Sequence, residues 1–341
     1  MLYPLSYGGR SSDALLCVPM TANSTGGAGP LVRIEEAAQA GGTVGVSPLV
    51  TTEWLAGQLD DPTVRVADIR WYLPSIGRQG REEYERGHIP GAVFVDLETE
   101  LANHGAFGPG RHPLPAAETF GDAMSRAGIG PATHVVAYDD NGGSIAARLW
   151  WLLRAHGHLR VSVLDGGITK WTAEGRPIET QARSYARAAF TPGELGRQVG
   201  HVVEKAQVRR LLQEHAVVLD ARATERYEGS TEPVDARAGH IPGARSAPFS
   251  GNLTQGSAGS TQIFLTPEAL RERFASLGVT QGKPVVAYCG SGVTACHNLL
   301  ALHLAGISDA VLYEGSWSDW SRDSSLPIAT GPDAGPASGA G

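Results

Sequence analysis

A cysteine at the end of an apolar run is the residue of this chain best suited to covalent chemistry. Residues 285–288 read Val-Val-Ala-Tyr, Cys289 follows, and Gly290 and Gly292 lie in the short stretch before another apolar run. This order predicts a buried strand, a tight loop and the start of a helix. A cysteine placed there faces the positive end of a helix and inward-pointing backbone N–H groups, which favour a thiolate. The pattern predicts a nucleophile, with an inert buried cysteine at a strand end as the alternative.

An internal repeat organises the chain around that loop. Four landmarks occur twice, in the same order and at an offset of about 150 residues, which is the signature of a duplicated domain. The repeated landmarks are Asp68–Arg70 and Asp220–Arg222, His88–Ala92 and His240–Ala244, Val135–Tyr138 and Val285–Tyr288, and Leu164–Gly167 and Tyr313–Ser316. The chain is therefore predicted to hold two copies of one domain.

Short β-branched runs alternate with helical patterns inside each copy, which predicts an α/β fold with a mainly parallel central sheet and helices on both faces. In the first copy the predicted strands are Val64–Ile69, Val135–Tyr138 and Val161–Leu164, and the predicted helices are Thr52–Leu59, Glu118–Ala127 and Ile145–His156. Because ligands bind beyond the carboxyl ends of parallel strands, Cys289 lies where a site is expected.

Composition shifts suggest the domain boundaries. Gly-, Ser- and Pro-rich stretches without periodicity separate or flank the copies. We predict a disordered extension over 1–46, an inactive copy over 47–180, a linker over 181–201, a catalytic copy over 202–329 and a flexible tail over 330–341.

Bulk composition excludes several function classes. The formal net charge of the 341 residues is -7, which argues against a nucleic-acid or anionic-membrane partner. An 18-residue apolar run and a secretory signal are both missing from the sequence, which favours the cytoplasm. The three cysteines form no disulfide framework, no spacing suggests zinc, and no metal or cofactor is expected. Cys296 is predicted to be a packed core residue.

The two copies differ at the position of the nucleophile. Asp139 follows the strand Val135–Tyr138 where Cys289 follows the equivalent strand, and a carboxylate cannot act as a sulfur nucleophile. The second copy is therefore predicted to be the active one, with the first copy lining the cleft.

Three motifs together resemble the tandem-domain rhodaneses, and among them the members that take sulfur from 3-mercaptopyruvate. They are Tyr84 with Gly87–Ala92, the loop Cys289–Ala295, and the ending Tyr313–Trp320. The resemblance covers residues 47–329 and implies ping-pong sulfur transfer. The Cys289 thiolate takes a sulfur from a small-molecule donor, 3-mercaptopyruvate or thiosulfate, and passes it to a thiol, thioredoxin or cyanide.

The resemblance also implies a donor-binding site. Backbone groups of the loop after Cys289 would hold the anion, and these belong to Gly290, Gly292, Val293 and Thr294. Arg226 matches the family's substrate arginine, with a surface salt bridge as the alternative. The family's second substrate arginine is displaced in this chain, and Arg237 is the candidate replacement. Thiosulfate-preferring relatives carry cationic residues directly after the cysteine, whereas Gly290 and Ser291 are neutral.

A proton relay is the remaining implied element. The resemblance places Ser291 beside a histidine and an acid, which match His112 and Glu98 in the first copy. The alternatives are a solvated loop histidine and an exposed acid at a helix start. The functional alternatives are a thiosulfate:cyanide sulfurtransferase and a non-catalytic binding module. A cysteine phosphatase is disfavoured, because its arginine six residues after the cysteine is replaced by Ala295.

Overall fold

The structure is a computed structural model that describes residues 46–103, 108–195, 201–255 and 261–333. Residues 1–45 of the predicted extension, 196–200 of the predicted linker and 334–341 of the predicted tail lie outside the described residues. The domain boundaries given above stay predictions.

The first copy contains one five-stranded sheet in the order β1-β5-β4-β2-β3, in which all paired strands are parallel. Its elements are β1 (Leu49–Val50), α1 (Thr52–Ala56), β2 (Val64–Asp68), the 3₁₀ turn Pro74–Ile76, α2 (Gly80–Arg86), β3 (Val93–Phe94), α3 (Ala117–Arg126), β4 (His134–Tyr138), α4 (Ala146–Ala155), β5 (Val161–Leu164) and α5 (Gly167–Ala173).

The second copy repeats this sheet in the order β6-β10-β9-β7-β8, again with parallel pairs. Its elements are β6 (Val202–Val203), α6 (Lys205–Gln213), β7 (Val217–Asp220), α7 (Thr224–Glu228), β8 (Arg245–Ser246), the 3₁₀ turn Phe249–Asn252, α8 (Pro267–Ser276), β9 (Val285–Tyr288), α9 (Ala295–Leu304), β10 (Val311–Tyr313) and α10 (Ser316–Trp320).

The predicted parallel α/β architecture is confirmed in both copies. Strands β4 and β9 are fully buried, as expected for apolar strands in the middle of a sheet covered on both faces. The predicted helix Thr52–Leu59 ends at Ala56 instead, because the N–H of Gly57 turns back to the carbonyls of the last turn and closes the helix.

The two copies share an apolar core. One cluster of buried side chains runs from the first-copy strands through α4 and α9 to the second-copy strands. On α4, Trp150 and Trp151 are buried, and the Trp150 ring lies 5.6 Å from the ring of His303 on α9. Burial of this surface fixes one copy against the other.

The repeated His-Ile-Pro-Gly-Ala motif is a structural device in each copy. His88 stacks on Tyr84 with ring centroids 3.9 Å apart, and His240 stacks on Tyr227 at 3.7 Å. Each imidazole Nδ1 is hydrogen-bonded to the carbonyl of its stacking tyrosine, at 2.7 Å and 2.8 Å. Both histidines are fully buried, so they hold a turn together and lie away from the chemistry.

Across the described ranges, we find no helix with the length and apolar character that a membrane span requires.

Candidate active site

Cys289 lies at the carboxyl end of β9, where the chain turns into the loop that precedes α9. The residue is 1 % exposed, and the N–H of Gly292 donates to its Sγ at 3.1 Å. The sulfur is therefore partly enclosed by the loop that follows it, as the sequence pattern predicts.

The two glycines of this loop have different roles. Gly292 has a φ of +82°, and a Cβ there would lie 2.6 Å from the carbonyl oxygen of Glu314, so both the backbone conformation and the neighbouring chain require glycine. Gly290 lies outside the left-handed region. A Cβ on Gly290 would instead lie 2.9 Å from Nη2 of Arg111, so its lack of a side chain leaves room above the nucleophile.

The turn between β10 and α10 is hydrogen-bonded to the backbone of the cysteine loop. The N–H groups of Trp317 and Ser318 donate to the carbonyls of Cys289 and Gly290 at 2.9 and 3.0 Å. The N–H of Cys289 donates to Oγ of Ser316 at 3.1 Å, and Ser316 takes a φ of +55° to make this contact. A residue with a side chain in the left-handed region is strained, and here the strained residue fixes the backbone of Cys289.

Three predicted relay residues lie together although they come from both copies. His112 Nδ1 is 2.7 Å from Ser291 Oγ, and His112 Nε2 is 3.2 Å from Glu98 Oε1. The indole N–H of Trp71 donates to the same Glu98 oxygen at 2.9 Å, and the Trp71 ring packs edge-on against His112. Trp71 therefore packs against the histidine and also orients the acid.

The hydrogen bonds of His112 define its tautomer. A carboxylate can only accept, so the Nε2–H of His112 donates to Glu98. Nδ1 is then the acceptor for the Ser291 hydroxyl. The imidazole and Ser291 are both buried, so proton exchange between them is shielded from water.

The loop that carries His112 is attached to the second copy on both sides. The N–H of Arg111 donates to Ser318 Oγ at 3.1 Å, and the N–H of Leu114 donates to a carboxylate oxygen of Glu314 at 3.0 Å. The fully buried Arg148 on α4 connects this loop to the cysteine loop, because its guanidinium donates to the carbonyls of His112 and Gly292, both at 3.2 Å. The relay is thus assembled by packing between copies.

Arg226 lies beside the cysteine loop, as the sequence comparison with the family implied. Its Nη1 and Nη2 are 3.5 and 3.7 Å from the Cβ position of Gly290. The guanidinium also pairs with Glu232 at 2.7 Å and with Asp235 at 3.1 Å. Its side chain is 19 % exposed, so it is a half-enclosed cation at the mouth of the site.

Arg237 is wrongly placed to bind a substrate. Its guanidinium donates to the backbone carbonyls of residues 320, 321, 323 and 326, at distances from 2.6 to 3.3 Å. All of its donor nitrogens are thereby used to hold the segment after α10. The expectation that Arg237 replaces the family's second arginine is corrected on this ground.

Arg111 was missed by the sequence reasoning. It directly precedes His112, and its guanidinium reaches over Gly290 and pairs with Asp235 of the second copy. The signal available in the sequence was its adjacency to a predicted relay residue in a loop that crosses between copies.

The equivalent loop of the first copy is closed around Asp139. The N–H groups of Asn141 and Gly143 donate to one carboxylate oxygen at 2.8 and 2.9 Å, and those of Ile145 and Ala146 donate to the other at 2.8 and 2.9 Å. Burial raises the pKa of Asp139, and these four donors act against that rise. The backbone of this loop is an anion-binding nest that holds its own side chain.

Cys296 lies one position past the start of α9 and is fully buried. Burial raises the pKa of its thiol to about 12, so it is a neutral thiol at physiological pH. The two described cysteines, Cys289 and Cys296, are free, and Cys17 lies outside the described residues.

A family model of the rhodanese-like domain matches residues 51–174 and 204–323, which is one match in each copy. The chain is 43% identical over 293 residues to a probable 3-mercaptopyruvate sulfurtransferase of Pseudomonas aeruginosa, covering 83% of this chain and 98% of that protein. It is 39% identical over 284 residues to the human 3-mercaptopyruvate sulfurtransferase, covering 80% and 91%. It is also 40% identical over 296 residues to a putative thiosulfate sulfurtransferase of Mycobacterium tuberculosis, covering 83% and 97%.

Solved structures show the same architecture. The crystal structure of SseA from Escherichia coli, described with the 3-mercaptopyruvate sulfurtransferase mechanism and the "rhodanese" fold, matches with a TM-score of 0.68 and 34% identity, covering 80% of this chain and 100% of that chain. The Tum1 protein of Saccharomyces cerevisiae matches with a TM-score of 0.72 at 24% identity, covering 83% and 98%, which supports the fold alone.

Proposed function

The chain belongs to the rhodanese-like domain family, and we propose that it is a sulfurtransferase that moves a sulfane sulfur from 3-mercaptopyruvate through a persulfide on Cys289 to an acceptor. The observation that carries this proposal is the cluster of Cys289, Ser291, His112 and Glu98, with Arg226 beside it. Relatives of 39% and 43% identity that carry the 3-mercaptopyruvate name support the same donor.

The first half-reaction balances with these groups. The Cys289 thiolate attacks the thiol sulfur of 3-mercaptopyruvate, a sulfur–sulfur bond forms, and the carbon–sulfur bond breaks with its electron pair moving to carbon. The resulting enolate takes up one proton to become pyruvate. The proton that the substrate thiol loses balances the one that the carbon gains, and the cysteine is left as a persulfide anion.

Ser291 and His112 are proposed to move that proton: as the substrate thiol gives its proton to Oγ of Ser291, the hydroxyl proton passes to Nδ1 of His112, and the reverse shift returns a proton to the enolate carbon. The Ser291 hydroxyl lies two residues from the nucleophile and donates to Nδ1 of His112, which Glu98 orients through Nε2. A positioned acid that protonates the leaving group typically contributes about 10²- to 10⁴-fold. Glu98 is a positioning residue in this scheme, because it acts through the imidazole.

The first copy supports the proposed persulfide binding. From Cβ, the carboxylate oxygens of Asp139 are two bonds away, and the outer sulfur of a Cys289 persulfide would also be two bonds away. In the first copy those oxygens accept hydrogen bonds from the N–H groups of residues 141, 143, 145 and 146. At the offset of 150, the corresponding groups of the second copy are those of 291, 293, 295 and 296, so the outer sulfur anion is proposed to lie among them.

The second half-reaction is proposed to use a thiol, thioredoxin or cyanide, each of which attacks the outer sulfur and regenerates the Cys289 thiolate. A nucleophile that must cycle as a free thiolate requires a reducing compartment, and we propose the cytoplasm for this reason.

Thiosulfate is the competing donor, since relatives named thiosulfate sulfurtransferases match at 38% and 40% identity. The test measures pyruvate release from 3-mercaptopyruvate beside sulfite release from thiosulfate, with mass spectrometry of the Cys289 peptide after each donor. We expect an added sulfur, about 32 Da, and at least a tenfold higher kcat/KM for 3-mercaptopyruvate, which corresponds to about 1.4 kcal/mol. A higher value for thiosulfate would make the chain a thiosulfate:cyanide sulfurtransferase, and no added sulfur with either donor would leave a non-catalytic module.

A further inference from the structure

A small cavity lies where helices α4 and α9 pack against each other across the two copies. We call it the α4–α9 cavity. Its polar wall is formed by Trp150 and Arg154 of the first copy and by His303 and Ser308 of the second. The described residues that line it include no carboxylate. The cavity therefore combines a cation and hydrogen-bond donors from both copies without a counter-ion.

Arg154 brings a full positive charge to the α4–α9 cavity. Its Cζ lies 5.1 Å from the centroid of the Trp150 ring, and the residue is in the last turn of α4. The aromatic face and the carboxyl end of the helix favour a cation there. Within the described ranges, however, the guanidinium forms no hydrogen bond and no ion pair. Burial lowers the pKa of Arg154, so its charge costs free energy that a bound anion would offset.

Two further groups of the wall lack acceptors. Trp150 is 3 % exposed, and its buried indole N–H has no acceptor among the described residues. His303 lies 5.6 Å from Trp150 between ring centroids and makes no hydrogen bond in the part of the chain that the structure describes. Burial, and then the charge of Arg154, lower the pKa of His303 to about 4, so its imidazole is neutral at pH 7 and keeps one N–H. Buried donors without acceptors are rare in folded proteins, and a ligand oxygen would satisfy them.

We propose that the α4–α9 cavity is a binding site for a small monocarboxylate, which pairs with Arg154 of the first copy and accepts a hydrogen bond from His303 of the second. The residues that line it include neither Cys289 nor the members of the relay. The proposal therefore concerns a second site and does not depend on the proposed function.

Size and charge favour a carboxylate over other anions. The cavity measures about 30 Å³, which is room for about two waters, so a planar carboxylate group fits more readily than a tetrahedral sulfate or phosphate. One guanidinium beside a neutral imidazole balances a single negative charge. A guanidinium also binds both oxygens of a carboxylate through parallel N–H groups, which gives the pair its geometric preference.

The first experiment follows the indole N–H of Trp150 by NMR. The full chain is labelled with ¹⁵N-tryptophan, and Trp150→Phe assigns the signal. Sodium acetate is titrated against sodium chloride at constant ionic strength and pH 7. We expect a saturable shift with a Kd of about 1–10 mM, as suits one charge-assisted contact with a ligand of this size. Acetamide, which has the same shape without the charge, should give no saturable shift.

Variants locate the response. Arg154→Gln should weaken acetate binding at least about tenfold, because it removes the only full charge of the cavity wall. Arg126→Gln is the matched control, since Arg126 also lies in the last turn of its helix, α3, but pairs with Glu100 and Asp122. It should keep the Kd of the parent protein. Arg226→Gln, beside the cysteine loop, should keep it as well.

A second measurement uses stability. Acetate should raise the melting temperature of the parent protein above its value in chloride, because the ligand binds the folded chain alone. The rise should disappear in Arg154→Gln and become smaller in His303→Phe, which removes the donor that belongs to the second copy. An undiminished rise in Arg154→Gln would contradict the proposed site.

Three NMR outcomes would overturn the proposal. A shift that does not saturate, or an equal shift with acetamide, would mean that the cavity holds only water. Acetate binding that persists in Arg154→Gln, or is lost in Arg226→Gln, would place the carboxylate elsewhere. If Arg154→Gln does not fold, Arg154→Lys takes its place and should bind acetate several-fold more weakly, because an ammonium lacks the planar fork; unchanged binding would then contradict the proposal. Since no sulfur transfer is measured, failure of the proposed function would leave this result unaffected.

Discussion

The loop around Asp139 and the loop around Cys289 follow equivalent strands and enclose equivalent side chains, but they face different surroundings. A Cβ on Gly142 would lie 2.5 Å from the Leu253 side chain, so the first-copy loop is covered by an apolar residue of the other copy. Beside Gly290, which corresponds to Asp140 at the offset of 150, lie the guanidinium groups of Arg111 and Arg226, whereas the Asp140 carboxylate contacts Tyr72 and Arg78. Four N–H groups surround the Asp139 carboxylate and one, from Gly292, reaches Cys289 Sγ, and different side chains cover the two loops. We expect this difference in cover, together with the change from cysteine to aspartate, to decide which loop can do chemistry.

The comparison also bears on the expectation that the first copy is inactive while it keeps the fold. The side chain of Asp139 accepts the loop's N–H groups, so that loop is satisfied without any ligand. A cysteine side chain ends one atom earlier and leaves that place for a sulfur that can be transferred. Five predictions test this contrast and the contact between the copies.

The largest expected effect is loss of the nucleophile. Cys289→Ser should reduce sulfur transfer from either donor by more than about 10³-fold, because an alkoxide is not formed at neutral pH and the persulfide cannot be made. Pyruvate and sulfite release are the measurements. Retained turnover would place the nucleophile elsewhere.

A companion variant moves the thiol to the other loop. Asp139→Cys combined with Cys289→Ser should stay inactive and gain no sulfur at position 139, because Leu253 covers that loop and the position is buried. Persulfide at residue 139 in the mass spectrum would show that the nest alone is sufficient.

The second effect concerns stability. Asp139→Asn replaces one carboxylate oxygen, which accepts two N–H groups, by an NH₂ group that can only donate. Two buried N–H donors then have no acceptor. We expect the free energy of unfolding to fall by about 3 kcal/mol, measured by denaturant titration. Asp140→Asn is the matched control, since Asp140 lies next in the chain and its carboxylate contacts Tyr72 and Arg78 near the surface. Equal losses in both variants would contradict the role of the nest.

The third effect is on the proposed relay. Ser291→Ala should lower kcat with 3-mercaptopyruvate by about 10- to 100-fold and thiosulfate turnover by less, because sulfite leaves as an anion that needs no proton on carbon. Asn141→Ala, the equivalent change in the first copy, should leave the ratio of the two activities unchanged. An equal loss for both donors in Ser291→Ala would argue against proton delivery.

The smallest effect follows from His297, whose imidazole connects the two copies. Asn252 Nδ2 donates to its Nδ1 and its Nε2–H donates to the carbonyl of Gly142, so the folded protein holds it neutral. Burial lowers the pKa of His297 to about 4. Because the unfolded chain binds a proton near pH 6.5 and the folded chain does not, this group's stabilisation is present above pH 6.5 and is lost as the pH falls toward 4.

The measurement for His297 is the pH dependence of unfolding. Between pH 7 and pH 5 the parent protein should lose about 1–2 kcal/mol more than His297→Gln, whose amide can make similar hydrogen bonds without titrating. Identical pH profiles would mean that His297 has the same pKa in the folded and unfolded protein.

The fold could be predicted from the sequence because its signals are local and occur twice. Apolar strands such as Val285–Tyr288, glycines at turns and the repeat offset together specify two parallel sheets. The cysteine loop could be placed for the same reason, since strand, loop and helix are contiguous. The relay residues Ser291, His112 and Glu98 also lie together as the resemblance implied, although their roles stay predictions.

What the sequence could not supply is the direction of long side chains across the contact between copies. Arg237 and Arg111 are both arginines near recognisable motifs, and composition does not distinguish them. Packing directs Arg237 toward the carbonyls after α10 and Arg111 over Gly290. The ion pairs of Asp235 could not be predicted either, because its two arginine partners lie 124 and 9 residues away in the chain.

Arg148 has a consequence for the evolution of the chain. Its buried guanidinium donates to carbonyls on three separate segments, at residues 101, 112 and 292, so the half that carries Asp139 contributes directly to the geometry of the half that carries Cys289. Mutational drift in the first half is then restrained at this point, and trimming the gene to the half that carries Cys289 would remove a cation on which the remaining half depends.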